Sequence, residues 1–446
     1  MWRFLKKYGQ FIFIFLFILI FNLICSPINL DEIWNFGFAN NLYRGLVPYL
    51  DFNIVLTPFY PWFMSLFFYA FGNNMLVFHI VNAVILTGCF YLLEKLFQEK
   101  VWLFLIFFFF PSNISFPNYN TFLFVLLTLL IYLEKEVVPK NNKYIHYIIG
   151  FLLGICILTK QTVGCFLVLP SLIYRKDKKA LFQRFTGLCI PIFIFFFILF
   201  FTKSFDEFFN LCLLGLFDFS GNSNSVGILW LFLLGIIILT ILFIRKNPKD
   251  IMNYYVLAFY IIAVPIIDYS HFFLAFLAFM FIICSCIHKK YFHYGVFSVI
   301  AVIFIGVLVC NFNHFDIHFY PNDVNHFEYR FINRGNYKFT NQVVDYMKKH
   351  KDKEFIFLNP DAYYFNIILD KDCGYLDLIN TGNLGYQGSD FLLSEIKKRE
   401  NAIYFVNLRE HNKNTQTDQQ ALEYVLKQGE KIGEISFYDV YVLDKG

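Results

Sequence analysis

The sequence contains few charged residues. Only 16% of its 446 residues are Asp, Glu, Lys or Arg, whereas an ordinary soluble domain has about 25%. Hydrophobic residues make up 58% of the chain, and phenylalanine alone occupies 63 positions. A water-soluble core could not bury so many apolar side chains. The composition therefore excludes a soluble enzyme and predicts that a lipid bilayer surrounds most of the chain.

The sequence also lacks a spaced set of cysteines and histidines. Nine of the ten cysteines lie in or beside apolar runs, and only Cys373 lies in a polar region. This excludes a disulfide framework and a zinc site with the usual ligand spacing. No small-residue cleavage site follows the first apolar run, Phe11–Ile24, so we expect this run to be an uncleaved membrane anchor.

Long apolar runs recur from residue 10 to residue 311. A membrane-spanning helix needs about 20 mostly apolar residues, and by that measure we predict about eleven spanning helices. The predicted spans are 9–25, 74–94, 101–111, 121–134, 146–159, 163–174, 185–202, 226–244, 252–267, 272–287 and 294–311.

Lys and Arg residues are distributed unequally between the two sides of these spans. The loops on one side carry 18 Lys and Arg residues, whereas the alternate loops carry only Arg44, Lys160 and Lys203. Because positively charged loops stay in the cytoplasm, the N-terminus is predicted to be cytoplasmic and the number of spans odd. This topology also explains the basic residues, so nucleic-acid binding is excluded.

The composition changes after residue 311. Residues 312–446 carry 16 Lys or Arg and 20 Asp or Glu, with no long apolar run. Apolar runs at 355–358 and 403–406 predict strands, and helical spacing lies between them. The predicted fold is a polytopic α-helical membrane domain, residues 1–311, followed by an extracytoplasmic soluble α/β domain, residues 312–446.

The first predicted outer loop, residues 26–73, is the most informative segment. Asp31 and Glu32 come within a few residues of the first span, so their carboxylates can reach the membrane surface without crossing lipid. We predict a short interfacial helix over 32–42 and a second one, rich in aromatic residues, over 57–71. An acidic pair at this position suits a base that acts on a substrate held at the bilayer surface.

The loop carries a recognisable pattern of residues. The pattern consists of Asp31-Glu32, Trp34, Gly45, Pro48-Tyr49, Asp51-Phe52, Thr57-Pro58 and Gly72. It resembles the first outer loop of GT-C glycosyltransferases, in particular the protein O-mannosyltransferase and aminoarabinose-transferase-like branch. The glycine-spaced stretch Gly150–Gln161, with its Leu-Thr-Lys turn, is similar to a helix of the same enzymes. The resemblance covers essentially the whole chain and implies a GT-C-like membrane fold.

The resemblance implies an integral-membrane glycosyltransferase with a polyprenyl-phosphate-linked sugar donor. The loop carboxylate is the catalytic group in that family, and a positioned carboxylate can accept the proton of an attacking hydroxyl. We assign Asp31 as the base and Glu32 as its neighbour for positioning or for acceptor binding. One base and a good leaving group predict a single displacement with inversion. The sugar, hexosyl or pentosyl, and the acceptor, a glycan, lipid or protein, stay open.

Cations for the leaving phosphate are scarce on the predicted outer side. Lys160, at the end of the fifth predicted span, is the first candidate that the resemblance implies, and Arg44 is the second. His271 and His79 lie where relatives often carry a basic residue near the phosphate. The loop residues that we assign to substrate binding are Asp51, Trp34 and Tyr49.

Each of these residues also has a simpler explanation. Asp31 and Glu32 could be solvated loop carboxylates, and Lys160 could extend from its helix end to the interface. The two histidines could serve helix packing, and Asp51 could brace the loop. A divalent cation shared by Asp31 and Glu32 is an open alternative, although the loop has no Asp-x-Asp motif.

A transporter or flippase for a lipid-linked or polar substrate is the main alternative function. Transporters carry ionisable residues inside their spans, whereas the predicted spans here contain almost no Asp, Glu, Lys or Arg. A receptor with an exported ligand-binding domain would explain residues 312–446 but not the first loop. A glycosyltransferase explains both.

Overall fold

The computed structural model describes most of the chain. The described residues are 2–24, 30–98, 101, 104–105, 108, 115–140, 143–174, 177–215, 227–264, 266–286, 317–319, 325–327, 331–359, 361–378, 388–399, 401–407 and 419–443. Most of the predicted span 101–111, the whole of 294–311 and the predicted boundary after residue 311 lie outside them.

Helices dominate the described residues. The helices are α1 (Trp2–Ile24), α2 (Leu30–Tyr43), α3 (Phe59–Phe71), α4 (Met75–Phe97), α5 (Tyr119–Tyr132), α6 (Ile145–Thr159), α7 (Gln161–Tyr174), α8 (Lys178–Thr202), α9 (Phe205–Phe208), α10 (Gly227–Lys246), α11 (Ile251–Phe259), α12 (Tyr269–Cys286), α13 (Arg334–Lys349), α14 (Ala362–Ile368), α15 (Gly388–Lys398) and α16 (Gln419–Gln428). Two π-helical segments, Leu133–Val137 and Phe209–Leu214, directly continue α5 and α9.

Four helices in the described part of the chain, α4, α8, α10 and α12, are long and apolar enough to cross a membrane. Shorter apolar helices occupy Tyr8–Leu23, Ile145–Thr159, Gln161–Leu172 and Ile251–Ala263. The chain is therefore a multi-pass, mostly helical membrane protein. Helices lie at nine of the predicted spans, and the total of about eleven stays a prediction.

The chain divides into two compact units. Unit 1 contains Met1–Ser26, Phe78–Phe197 and Asn224–Phe315. Unit 2 contains Pro27–Val77, Ile198–Ser223 and Asp316–Gly446. Unit 2 thus collects segments that are far apart in the sequence, including the first predicted outer loop and the polar C-terminal region.

Glycines allow three helices of unit 1, α6, α7 and α8, to approach one another closely. A methyl group on Gly150 of α6 would lie 1.9 Å from the carbonyl oxygen of Arg184 in α8. A methyl group on Gly164 of α7 would lie 2.2 Å from the backbone nitrogen of Ile157 in α6. Small residues at helix contacts are how membrane helices obtain close packing without a hydrophobic driving force.

A buried ion pair also joins the helices of unit 1. Arg184 of α8 and Glu134, in the π-helical segment after α5, have side chains that are 3% and 0% exposed. Arg184 Nη1 lies 2.6 Å from Glu134 Oε1, and Nη2 donates to Oε2 at 3.0 Å. Nη1 also donates to Ser171 Oγ of α7 at 2.9 Å, and Tyr255 Oη of α11 donates to Glu134 Oε1 at 3.2 Å. One charged pair therefore connects four segments of the chain.

Unit 2 contains a four-stranded sheet in the order β3-β4-β6-β5. Strand β3 (Phe355–Phe357) pairs in parallel with β4 (Ile403–Val406), and β6 (Tyr438–Leu443) pairs antiparallel with β4 and with β5 (Gly429–Ile435). Leu392 and Ile396 of α15 and Val425 of α16 pack in a core against one face. A separate antiparallel pair joins β1 (Ile317–Phe319) to β2 (Phe331–Asn333). The two predicted strands in this region coincide with β3 and β4.

Candidate functional site

The acidic pair of the first predicted outer loop lies in the first turn of α2. Carboxylates are favoured at this position because the exposed backbone N–H groups of a helix N-terminus attract negative charge. Glu32 is fully buried, whereas Asp31 is half-buried. Asp31 therefore retains access to its surroundings, and its assignment as the base stays a prediction.

Two neighbours surround this pair within unit 2. Asn35 Nδ2 donates to the backbone oxygen of Asp31 at 2.6 Å. Burial raises the pKa of the Tyr60 hydroxyl in α3, and the negative charge of Glu32 raises it further. Tyr60 thus lies close to Glu32. Trp34, two residues after Glu32 in α2, is half-buried.

Arg44 follows the last residue of α2. Gly45 next to it has φ +86°, the left-handed conformation in which glycine commonly follows a helix end. The Arg44 guanidinium forms ion pairs with Asp370 and, at 3.0 Å, with Asp372. These contacts tie the loop to another segment of unit 2, and the assignment of Arg44 to phosphate binding remains a prediction.

Tyr49 and Asp51 shape the loop after α2. Tyr49 is fully buried and has φ +72°, a conformation that costs free energy for a bulky side chain. Its hydroxyl donates to the backbone oxygen of Leu56 at 2.9 Å. Asp51 Oδ2 accepts a hydrogen bond from the backbone N–H of Val47 at 2.6 Å, so Asp51 braces the loop as well as being a substrate-binding candidate.

Two reciprocal hydrogen bonds hold α2 in place. Asn41 Nδ2 donates to the Cys373 backbone oxygen at 2.8 Å, and the Cys373 N–H donates to Asn41 Oδ1 at 3.2 Å. The turn after Cys373 is fixed in the same way by Asp377, whose Oδ2 accepts from Gly374 N at 2.6 Å and from Asn366 Nδ2 at 2.7 Å. Cys373, which lies in a polar part of the sequence, is therefore a buried anchor for α2.

Asp377 gives this anchor a pH dependence. Burial raises the pKa of its carboxyl group from 3.8 to about 7, so between these two values the folded chain holds a proton that the unfolded chain has released. The contribution of Asp377 to the free energy of unfolding is therefore largest at low pH and is lost as the pH rises to about 7. Each unit of pKa shift corresponds to roughly 1.4 kcal/mol, so the total loss is a few kcal/mol. We expect Asp377→Asn, which can still accept both hydrogen bonds, to remove most of this loss. Thermal unfolding between pH 5 and 8 measures it.

The exposed Asp352→Asn variant is the matched control, and its melting temperature should follow that of the wild type at every pH. A melting temperature that falls from pH 5 to 8 by the same amount in the wild type and in Asp377→Asn would contradict the assignment of the raised pKa to this residue.

Unit 1 holds the second group of candidate residues. Lys160 caps the C-terminus of α6, and His271 lies in the first turn of α12. Lys160 Nζ donates to Asn120 Oδ1 at 3.0 Å, while His271 Nε2 lies 3.3 Å from Asn120 Nδ2. Two residues predicted separately from the sequence thus contact the same amide, at the start of α5.

The direction of these hydrogen bonds is internally consistent. His271 Nδ1 lies 2.9 Å from Asp268 Oδ1, and since a carboxylate only accepts, Nδ1 carries the proton. In the neutral ring Nε2 then accepts from Asn120 Nδ2, which leaves Asn120 Oδ1 to accept from Lys160. Lys160, Asn120, His271 and Asp268 form one continuous chain, which we call the Lys160 cluster.

The charges of the Lys160 cluster support one another. Burial alone would raise the pKa of Asp268, but the hydrogen bonds that His271 donates to it and the nearby charge of Lys160 hold this pKa below its ordinary value. Asp268 therefore stays ionised and stabilises a positive charge beside it. Lys160 also lies 5.5 Å from the centre of the Tyr119 ring, in cation–π geometry.

Sequence reasoning missed Asn120 and gave Asp268 no role. The polar residues at the start of α5 are a signal that could have indicated Asn120. Asn118 accepts a hydrogen bond from the Thr121 N–H at 2.8 Å and caps this helix. A polar run that opens an apolar helix marks a helix N-terminus at the membrane surface. His79, the other predicted histidine, is fully buried within α4.

Comparisons with known proteins agree with this architecture. A model of glycosyltransferase family 87 matches residues 56–309, which is more than half of the chain. No curated protein matches the sequence. The structure of ArnT from Cupriavidus metallidurans bound to undecaprenyl phosphate superposes with a TM-score of 0.60 at 11% identity, over 99% of this chain and 98% of ArnT. The apo structure of the same ArnT gives a TM-score of 0.57 at 10% identity, over 98% of both chains.

Proposed function

Because this chain belongs to glycosyltransferase family 87 and has an ArnT-like GT-C fold, we propose that it transfers a sugar from a polyprenyl-phosphate donor to an acceptor hydroxyl at the outer membrane face. The family membership makes it a membrane glycosyltransferase and disfavours the transporter and receptor alternatives. The donor, the membrane face and the stereochemistry belong to the proposal.

The Lys160 cluster is the observation that carries the proposal. A polyprenyl-phosphate-linked sugar presents an anionic phosphodiester at the membrane surface, and its recognition needs a cation and hydrogen-bond donors. Lys160 and His271 are assembled on one amide by residues from three helix ends. The ArnT structure of the same fold was solved with undecaprenyl phosphate bound, which supports a lipid of this class as the donor's carrier.

The carboxylates of α2 supply the other requirement of the reaction. The acceptor oxygen forms a bond to the anomeric carbon while the bond from that carbon to the phosphate oxygen breaks. The hydroxyl proton passes to Asp31, and the electron pair of the broken bond leaves with the phosphate. Glu32, buried beside Tyr60, positions the first turn of α2. A single displacement of this kind inverts the anomeric configuration.

The division of the chain into units supports the proposed topology. Unit 2 collects 27–77, 198–223 and 316–446, and these correspond to the long segments that the Lys and Arg distribution assigns to the outer side. The Lys- and Arg-rich loops all belong to unit 1. A cytoplasmic N-terminus accounts for both facts.

Removing the Lys160 amine tests the donor site. We expect Lys160→Ala to weaken the binding of undecaprenyl phosphate to the full-length protein in nanodiscs by tenfold or more, because a charge-assisted hydrogen bond to the phosphate is lost. Native mass spectrometry or microscale thermophoresis measures this affinity. Lys203→Ala, an exposed lysine on the same predicted side, is the matched control and should bind as the wild type does. Equal affinities of the wild type and Lys160→Ala would remove Lys160 from the donor site.

A further inference from the structure

Unit 2 contains a half-enclosed cavity of about 310 Å³. Three separate segments of the unit line it: Tyr49 from the loop after α2, Glu207 and Asn210 from α9 and the π-helical segment behind it, and Tyr375 and Arg399 from the C-terminal region. It shares none of its lining residues with the Lys160 cluster, and neither carboxylate of α2 lines it. Among its lining residues, Tyr49 is a substrate-binding candidate from the sequence, and the chemical step proposed above uses none of them.

Two unusual backbone conformations meet at the cavity. Tyr49 has φ +72° and is held there by its hydrogen bond to Leu56 and by an edge-on contact of its ring with Phe208 at 5.4 Å. Asn210 lies in the π-helical segment Phe209–Leu214. Strained residues and π-helical turns are both concentrated at functional sites. Here Tyr49 and Asn210, from different parts of the chain, line the same cavity.

The charges of the cavity disfavour an anionic ligand. Arg399 is already neutralised, since Nη1 lies 2.9 Å from Glu395 Oε2 and Nε lies 2.8 Å from Glu354 Oε1. Glu207 adds a negative charge, and it raises the pKa of the Tyr375 hydroxyl beyond the effect of burial. A metal ion is also disfavoured, because the described part of the chain has no group of three or more His, Cys, Asp or Glu side chains arranged to hold one.

The remaining chemistry fits a neutral, polyhydroxylated ligand. Carboxylates such as Glu207 accept hydrogen bonds from hydroxyl groups, and these charge-assisted bonds are stronger than neutral ones. Tyr375 and Phe391 form an edge-to-face pair with ring centres 5.5 Å apart, a surface against which the C–H face of a sugar ring can pack. The volume is about twice the ~150 Å³ that holds a benzene ring, enough for one or two pyranose units.

We propose that this cavity binds a saccharide of the acceptor through Glu207, Asn210 and the Tyr375–Phe391 pair. The proposal rests on the function proposed above and deepens it, because it assigns the acceptor to the carbohydrate class rather than to peptides or simple lipids. Tyr49 forms the buried wall, and Arg399 and Glu395 line another side of the cavity as an ion pair.

Direct binding without a donor tests the proposal. The probes are methyl glycosides of glucose, mannose and galactose and their 1,4-linked disaccharides, added to the full-length protein in nanodiscs and followed by saturation-transfer difference NMR. We expect at least one probe to bind the wild type in the millimolar range and to bind Glu207→Gln at least tenfold more weakly. Tyr375→Ala should weaken binding by a similar factor. Asp206→Asn, an exposed carboxylate next to Glu207 that does not line the cavity, is the matched control.

The possible outcomes separate this proposal from the enzymatic one. If no probe binds, or if Glu207→Gln and Tyr375→Ala both keep their melting temperatures and bind as the wild type does, the saccharide site is refuted. Undecaprenyl phosphate binding is measured on the same samples. Its loss in Lys160→Ala with unchanged saccharide binding supports two independent sites, whereas saccharide binding without any undecaprenyl phosphate binding would refute the proposed donor alone.

Discussion

Asp31→Asn is expected to lower the rate of sugar transfer by a factor of about 10² to 10⁴, the range that a positioned general base contributes. The amide has the same shape as the carboxylate and can occupy the same first turn of α2, but it cannot accept the proton of the attacking hydroxyl. The loss should fall on kcat, because Asp31 acts only while the new bond forms. Transfer of radiolabelled sugar from a polyprenyl-phosphate donor in membranes measures it.

Two further measurements distinguish a loss of proton transfer from a loss of folding or of donor binding. The variant should keep the wild-type melting temperature and the wild-type affinity for undecaprenyl phosphate, since its defect lies in proton transfer. Asp345→Asn, an exposed carboxylate of α13, should transfer sugar at the wild-type rate. If Asp31→Asn turns over normally while Glu32→Gln does not, the base is Glu32, and normal rates in both would remove α2 from the chemistry.

The second large effect concerns the ion pair of Arg184 and Glu134. Glu134→Ala is expected to destabilise the protein by about 3–5 kcal/mol, because it leaves a buried guanidinium without its counter-charge. The two hydrogen bonds of the bidentate pair and the one from Tyr255 are lost together. Thermal unfolding in detergent measures the loss, and the yield of folded protein should fall with it.

A double substitution distinguishes the ionic contribution from simple packing. Glu134→Leu combined with Arg184→Met removes both charges, so no buried charge is left uncompensated, and it should recover most of the stability that either single change loses. Lys135→Ala is the local control, because its partly exposed pair with Asp250 at 3.4 Å contributes about 0–1 kcal/mol. A double variant as unstable as the sum of the two single variants would contradict the ionic explanation.

The helices of this protein are largely predictable from hydropathy, and their ends are not. Lipid requires a long apolar run wherever a helix crosses it, so nine of the predicted spans contain a helix. Hydropathy recognises only the part of a helix that lies in hydrocarbon. Helix α8 therefore starts at Lys178, seven residues before the predicted span, because its first turns carry Lys178, Lys179 and Arg184.

The candidate site was predictable where chemistry depends on local sequence. The helix that follows the acidic pair and its end before Gly45 follow from short motifs, whereas the outer position of Lys160 stays a prediction. Asn120 was not predicted, because a neutral amide does not change the charge count and hardly changes the hydropathy of an apolar helix. Glu134 and Arg184 were interpreted as charges of cytoplasmic loops, since nothing local shows that residues 50 positions apart form a buried pair.

The composition of unit 2 has a consequence for how the protein is made. Helix α2 leaves the ribosome early, yet Asn41 contacts Cys373 and Asn73 contacts His326, residues that are synthesised much later. Biogenesis must therefore insert the hydrophobic helices first and complete the loop that contains α2 last, as expected where distant contacts close slowly. A nascent chain stopped before residue 316 would carry membrane-inserted helices and an unfinished α2, so a premature termination product should be inert rather than partially active.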